Sequence, residues 1–402
     1  MKVVKFGGSS MADAGQYRKI RDILLADPER KVVVVSAAGK RNKQDHKITD
    51  LLYLCYAHTQ YGVDCSGVFE MITSRYREIA RDLNLSIDLE PEFADLKAKL
   101  DNKTVTQDEL ASRGEYFSAR LMADYLGFKF VDAADWVKFR FDGTVDQESS
   151  YEALRNQVDG IGVVIPGFYG QLPDGKIKTF TRGGSDITGA LAAAALDADV
   201  YENWTDVSGF LVADPRIVDN PAPIETITYT ELRELSYMGA SVLHEEAVFP
   251  LREQNIPLQV LNTNRPQDAG TIVLDTIPTN PSDPLITGIA GRKHFVAIEI
   301  AKKHMSNSIG FVRQVLSIFE QYHVSIEHLP SGIDSFSVVV NEADVKNCVH
   351  EIIAKIKEKT DADLVRLTEP FALIAVVSRN MNARSGTSGR LFSALGQASI
   401  NI

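Results

Sequence analysis

At 402 residues, 44% of them hydrophobic, the chain is long enough for two or three domains and apolar enough to give each a core. Its 43 Lys and Arg against 54 Asp and Glu leave a net charge of −11, which argues against nucleic acid or an anionic membrane as main partner but leaves room for a local basic pocket. Cys55, Cys65 and Cys348 are few and scattered, as expected of reduced thiols in a cytoplasmic protein, and no apolar run reaches membrane-spanning length.

Lys2 to Phe6 reads as a short buried strand that leaves no place for a signal peptide, Ala12 to Ala26 as a helix, and Val32 to Ser36 as a second strand. Such a β-α-β unit predicts a parallel sheet with a right-handed crossover. The turn Gly7-Gly8-Ser9-Ser10 matches neither G-x-x-x-x-G-K-[ST] nor G-x-G-x-x-G. Lys5 precedes the glycines on the strand. Its ammonium is either a surface charge or lies in the mouth of the sheet, where open α/β sheets bind ligands.

The polar stretch 37–47 runs into Ile48-Thr49-Asp50, and helical segments follow near 50–60, 66–83, 92–100 and 106–127. The last contains Ser112-Arg113-Gly114-Glu115. S-x-x-E is a capping-box pattern, which offers Glu115 a purely structural role at a helix start. G-I-G-V-V-I, from Gly160, sits inside an apolar strand and lacks the third glycine of a dinucleotide fingerprint.

Lys178 to Asp186, K-T-F-T-R-G-G-S-D, begins extended, breaks at Gly183-Gly184 and restarts as an alanine-rich buried helix that Ser185 or Asp186 can cap. The glycines let backbone approach a ligand, the helix N-terminus favours an anion, and Arg182 adds a planar fork suited to carboxylate or phosphate. An ordinary strand–turn–helix corner would read the same way. A strand at 200–204, the loop Thr205–Arg216, a helix near 240–254 and a strand at 257–262 complete this part. His244-Glu245 opens an H-E-x-x-H pattern that Val248 breaks, and nothing else has metal-ligand spacing.

Three prolines between Asp275 and Leu285 mark a boundary, so 1–275 is expected to form one domain and 276–294 a linker with a lead-in strand. Over 295–370 the alternation of Val296, Ile298 and Ile300, helical stripes at Val312–Phe319 and Val345–Ile356, and strands near 324–329, 335–341 and 363–369 give the order β-α-β-β-α-β, a ferredoxin-like module. Val315-Leu316-Ser317, Phe319, Gln321, Val324 and Ile326 then recur at the same spacing as Leu391-Phe392-Ser393, Leu395, Gln397, Ile400 and Ile402. A second module thus starts in 371–402 and is incomplete. Half a module leaves an apolar helix face and an open sheet edge, so the expectation is a truncated chain or a further tail.

K-F-G-G-S-S at 5–10, S-R-G-E at 112–115, T-R-G-G-S-D at 181–186, W-T-D-V-S-G at 204–209, D-P-R at 214–216 and G-A-S-V-L-H at 239–244 occur in order, ahead of the tandem modules. Together they resemble the aspartokinases of the amino acid kinase family, over essentially the whole chain. The resemblance implies an α/β fold, a parallel-rich sheet between helix layers, followed by paired ACT modules that sense amino acids. It implies transfer of the γ-phosphoryl of MgATP, with the metal carried by the nucleotide, to the side-chain carboxylate of L-aspartate. That nucleophile is already an anion, so positioning and charge neutralisation should carry catalysis.

By the same resemblance Lys5 stabilises the transferring phosphoryl group and Asp186 organises that lysine. Arg182 clamps the α-carboxylate of aspartate and Glu115 holds its ammonium. Ser36, Thr49, Phe168, Gly183, Gly184 and Ser185 line the amino-acid pocket. Gly7, Gly8, Ser9, Thr205, Asp206, Leu211, Asp214, Arg216 and Ser241 lie where the family holds ATP. Leu211 stands where relatives often have Tyr and Ser241 where many have a nucleotide-contacting Lys, so that contact is expected either to be absent or to come from Arg216. The charged run Lys40–Lys47 lengthens the loop before Thr49.

Feedback by lysine or threonine, and a homodimer or larger assembly through the ACT modules, are also implied. The effector site is expected at Met305, Ser308 and Gly310, facing Ser325 and Glu327, with Glu327 otherwise left in solvent. Two rival readings stay open at this point: a kinase of the same fold acting on glutamate, acetylglutamate or a nucleotide, and a catalytically silent amino-acid sensor.

Overall fold

Val3, Val4 and Phe6 are fully buried, and the strand they form, β1 (Lys2–Phe6), lies in the middle of the main sheet. The computed structural model describes every residue except 159, 161, 182, 240–248, 279–283, 380, 382–384 and 401–402. The chain forms two units, Met1–Gly288 with Val377–Ile402, and Ile289–Val376.

In the first unit a 3-10 turn, Gly8–Met11, separates β1 from α1 (Ala14–Leu25), so the helix starts later than its apolar pattern suggests. Asp13 caps it, accepting from the Gln16 N–H. There follow β2 (Arg30–Val35), α2 (Ile48–Gln60), α3 (Ser66–Asp82), α4 (Glu90–Asp101) and the long α5 (Gln107–Leu126). Next come β3 (Lys129–Phe130), α6 (Ala133–Trp136), α7 (Gln147–Arg155), β4 (Val163–Pro166), β5 (Tyr169–Gln171) and β6 (Ile177–Thr179). The unit continues with α8 (Gly184–Ala195), β7 (Val200–Thr205), β8 (Thr226–Thr228), α9 (Tyr229–Tyr237), α10 (Phe249–Glu253), β9 (Leu258–Asn262) and β10 (Thr271–Leu274).

Eight of these strands form one sheet in the order β3-β4-β2-β1-β7-β9-β10-β8. All its pairs are parallel except β9 with β10. Strand order reverses direction at β1, the switch point at which open α/β sheets bind ligands. Val4, Phe6, Val33 and Val35 turn one face of the sheet into the core shared with α1 to α5. The opposite face of β1, β2 and β7 carries α8, whose Ala190 and Ala192–Ala195 are wholly buried. Small side chains let this helix lie close against the strands.

In the second unit β11 (Gly288–Ala301) leads to α11 (Phe311–Gln321), β12 (Ser335–Asn341), α12 (Glu342–Val345), α13 (Val349–Lys359) and β13 (Leu364–Leu367). β12 and β13 both pair antiparallel with β11, and β14 (Phe371–Val377) joins the same sheet. The expected strand near 324–329 is reduced to single bridges: Glu327 and His328 exchange backbone hydrogen bonds with Val339, and His328 pairs as an isolated bridge. The order is still ferredoxin-like, with Val315, Phe319, Ile352 and Ile356 packed on Ile298, Ile300, Val338 and Val340. The repeat seen in the sequence has a counterpart in α14 (Thr387–Gln397). Both α11 and α14 follow an N-cap glycine with positive φ, Gly310 at 82° and Gly386 at 89°.

Candidate active site

Four candidate segments follow the carboxyl ends of neighbouring parallel strands. Gly7–Ser9 follow β1, Ser36 follows β2, Gly167 and Phe168 follow β4, and Thr205 ends β7 with Asp206 after it. The N-terminus of α8 reaches the same end of the sheet. Its cap is Gly183 at φ 57°, and no side chain caps it, so Ser185 and Asp186 occupy the first turn and are not caps. Glycine suits that left-handed position because a Cβ there is strained.

Lys5 is only 7% exposed, so it is not a surface lysine. Its Nζ lies 2.5 Å from Asp186 Oδ1. Asn203, in register opposite Lys5 on β7, donates from Nδ2 to the same Asp186 oxygen at 2.9 Å and accepts from Lys5 Nζ at 3.4 Å. Asn203 carries no sequence motif, and only the β1–β7 register brings it here. The Gly7 N–H donates to the Trp204 carbonyl at 2.9 Å, which ties the glycine turn to the W-T-D segment.

Glu115 lies well inside α5, which begins after Thr106, and Thr106 accepts from the Glu109 N–H as the true cap. The capping reading of Ser112–Glu115 is therefore wrong. Gly114 is needed for close packing, since a Cβ there would sit 2.7 Å from the Ala37 Cβ. Glu115 is buried, and its Oε2 has no hydrogen-bond partner among the described residues. Burial pushes its carboxyl up to about 8, against the pull of the Ala37 and Glu115 backbone N–H groups and of the Lys5 charge. A buried acceptor without a donor, in reach of the field of Lys5, is suited to a ligand cation such as an ammonium.

Phe168, at φ 81°, holds a backbone conformation that is strained for a bulky residue, fixed by its N–H to Thr188 Oγ1 at 3.0 Å. It meets Gly184, and Gly167 meets Ser185, so closely that a Cβ on either glycine would fall 2.6 Å from its neighbour. Phe168, Gly184 and Ser185 thus share one wall. Ser36 and Thr49 are half-buried; the Ser36 N–H bonds the Phe6 carbonyl, and Thr49 is the second residue of α2, whose first residue, Ile48, donates its N–H to the Ala38 carbonyl.

Thr205 hydroxyl contacts the exposed Asp206 at 3.3 Å, and Leu211 pairs with Pro223. Arg216 is 84% exposed and forks onto Asp214 at 2.6 Å, an ion pair that brings the Asp214 carboxyl down to about 2. The D-P-R motif is thus closed on itself here. Arg182 and Ser241, with His244, Glu245 and Val248, lie outside the described residues. The loop 40–47 is pinned by Arg75 to Asp45 at 2.7 Å.

In the second unit Met305 is buried in a 3-10 turn, Ser308 follows it, and Gly310 caps α11. Ser325 is exposed, whereas the Glu327 side chain is only 11% exposed and lies 3.9 Å from Arg292, not in open solvent.

Residues 1–262 match the model of the amino acid kinase family. The chain is 38% identical over 417 aligned residues to aspartokinase 3 of Bacillus subtilis (strain 168), covering all of this chain and 91% of that one. A crystal structure of Clostridium acetobutylicum aspartate kinase, described as an allosteric enzyme, superposes at a TM-score of 0.93 with 45% identity, covering 99% of this chain and 91% of that one. E. coli aspartokinase III, solved with aspartate and ADP and also with lysine and aspartate, shares the fold at a TM-score of 0.75 and 24% identity; the first of these covers 99% of this chain and 92% of its own. With this match over the whole length and the lysine–aspartate–glycine arrangement at the sheet's switch point, the chain belongs to the amino acid kinase family, in its aspartokinase branch.

Proposed function

We propose that this kinase transfers the γ-phosphoryl group of ATP to the side-chain carboxylate of L-aspartate, giving 4-phospho-L-aspartate. The observation that carries the reading is the pairing of a buried Lys5–Asp186–Asn203 cluster beside the glycine turn with the buried Glu115 carboxyl, whose Oε2 has no hydrogen-bond partner among the described residues. The attacking carboxylate is already ionised, so the chain needs no general base. Its task is to bring an anion to a polyanion. Lys5 supplies a positive charge that Asp186 and Asn203 hold in place, and the Gly8 and Ser9 backbone with the α8 N-terminus supplies N–H donors. Mg²⁺ would arrive on the nucleotide and offset its phosphate charge.

Glu115 suits the ammonium of the amino acid. Arg182, by family resemblance, suits its α-carboxylate, with Ser36, Thr49, Phe168, Gly183, Gly184 and Ser185 around it. Thr205, Asp206, Leu211, Asp214, Arg216 and Ser241 would hold the nucleotide, and opening of the Asp214–Arg216 pair would release Arg216 for it. Residues 1–275 serve as catalytic domain, 276–294 as linker, 295–370 as an ACT module and 371–402 as part of a second. Lysine, with or without threonine, is the expected feedback ligand of Met305, Ser308, Gly310, Ser325 and Glu327. Assembly as a homodimer or larger fits the exposed Ile309 and Ile333 of the second unit. Among the described residues no helix is long and apolar enough to cross a membrane, and the free cysteines fit a cytoplasmic setting.

A coupled assay of ADP release, run with aspartate, glutamate and acetylglutamate and checked by hydroxylamine trapping of the acyl phosphate, tests this. Turnover with aspartate alone is expected. Turnover only with glutamate or acetylglutamate, or none in the folded protein, would overturn it.

A further inference from the structure

Arg75 belongs to no motif, sits on the charged helix α3, and is nevertheless only 5% exposed. Its Nη1 donates to the Gly39 carbonyl at 3.0 Å and to the Ala12 carbonyl at 3.5 Å, and its Nη2 lies 2.7 Å from both oxygens of Asp45. Asp45 is held in turn by the Arg41 N–H at 2.9 Å and the Arg41 Nε at 3.0 Å. The two carbonyls flank the glycine turn. Ala12 closes the Gly8–Met11 turn, while the Gly39 N–H donates to the Gly8 carbonyl at 2.8 Å. Contact there is so tight that a Cβ on Gly39 would lie 2.5 Å from the Gly8 carbonyl carbon.

We propose that Arg75 is a positioning residue for phosphoryl transfer, clamping Gly39 and Ala12 on either side of Gly7–Ser9 so that the Gly8 and Ser9 N–H groups are held ready for nucleotide phosphate. The guanidinium fork reaches two carbonyls and a carboxylate from one rigid plane, which an ammonium cannot do. Preorganised donors stabilise developing charge without reorganising during the reaction, so a loosened turn costs both affinity and rate. This inference rests on the reading of Gly7–Ser9 as the phosphate cradle.

The test is calorimetric titration with MgADP, alongside steady-state kinetics and thermal melting, on the full chain. Arg75→Lys keeps the charge opposite Asp45 but not the fork. Gly39→Ala leaves the ion pair intact and presses on Gly8 directly. Both are expected to bind MgADP at least about tenfold more weakly and to lose kcat, at temperatures where melting shows them folded. A merely structural arginine would lower the melting temperature and leave the affinity of the folded protein unchanged. If Arg75→Lys does not fold, Gly39→Ala decides alone. Wild-type MgADP affinity in the folded variants would overturn this proposal only; failure of the wild type to bind MgADP would overturn the cradle reading and the proposal with it.

Discussion

Lys5 and Asn203 stand opposite each other on adjacent parallel strands and converge on one oxygen of Asp186, at 2.5 and 2.9 Å. The amide also contacts the ammonium, at 3.4 Å, so the three groups restrain one another. A buried ammonium held in this way can meet charge that develops on a phosphoryl group without having to move. Lys5→Met is expected to lower kcat by roughly 10²–10³-fold while leaving the KM for aspartate within a few-fold. Steady-state kinetics of the purified variant decide it, and near-normal turnover would remove Lys5 from the catalytic residues.

Asn203→Leu should keep the branched shape of the side chain and the fold but leave the Asp186 carboxylate without its amide donor. Losing a hydrogen bond to a charged group costs about 1.5–3 kcal/mol, so kcat should fall about tenfold or more. Asn203 does not face substrate in this reading, so neither KM should move as much. A KM effect larger than the kcat effect would show that Asn203 binds a substrate directly.

The Glu115 carboxyl is raised to about 8 by burial. A raised carboxyl holds its proton more tightly folded than unfolded. Its contribution to the stability of the unliganded protein is therefore present below the ordinary carboxyl range and is lost as pH rises through about 8. The ammonium of aspartate requires the ionised form. KM for aspartate should accordingly fall as pH rises toward about 8 and level off above it. Glu115→Gln should raise that KM and flatten both its pH profile and the pH dependence of melting. A wild-type KM that rises over the same range would contradict the assignment.

Gly114 can be probed through packing. Adding a methyl group at this position places it 2.7 Å from the Ala37 Cβ, and overpacking of that kind costs about 1–3 kcal/mol. Gly114→Ala should melt at a lower temperature. Its KM for aspartate should rise as well, because Ala37 and Glu115 are forced apart. Unchanged melting would mean that α5 shifts to absorb the methyl.

The parallel sheet and the glycine turns were legible because periodicity and loop chemistry are local properties of the sequence. Burial of Lys5 was not, since a lysine at a strand end reads alike in a cleft and in solvent. Ser112–Glu115 misleads because a capping pattern inside a helix looks the same as one at its start; α5 begins at Thr106-x-x-Glu109, a second match to the same pattern. Ser185 and Asp186 mislead for a related reason, as Gly183 turns the chain before either can cap. Asn203 and Arg75 depend on register and on long-range approach, which no local pattern records. The strand expected near 324–329 pairs only at its edge with β12, where irregular pairing replaces a full ladder.

Arg292 and Glu327 set the last expectation. Glu327 is mostly buried, its carboxylate is 3.9 Å from the Arg292 guanidinium, and both side chains belong to the second unit. An amino-acid effector docked at the N-terminus of α11 would place its α-carboxylate near the Gly310 cap and its ammonium toward Glu327. That ammonium would compete with Arg292 for the carboxylate. Glu327→Ala should therefore weaken inhibition by lysine without changing uninhibited turnover. Arg292→Met should act in the opposite sense, because it leaves the carboxylate more open to the ligand, and half-maximal inhibition should come at lower lysine. Titrating lysine and threonine separately against activity of each variant measures this. Equal lysine sensitivity in the wild type, Glu327→Ala and Arg292→Met would place the effector site elsewhere. Loss of inhibition in both variants would show instead that the ion pair itself, and not the ligand, is what Glu327 serves.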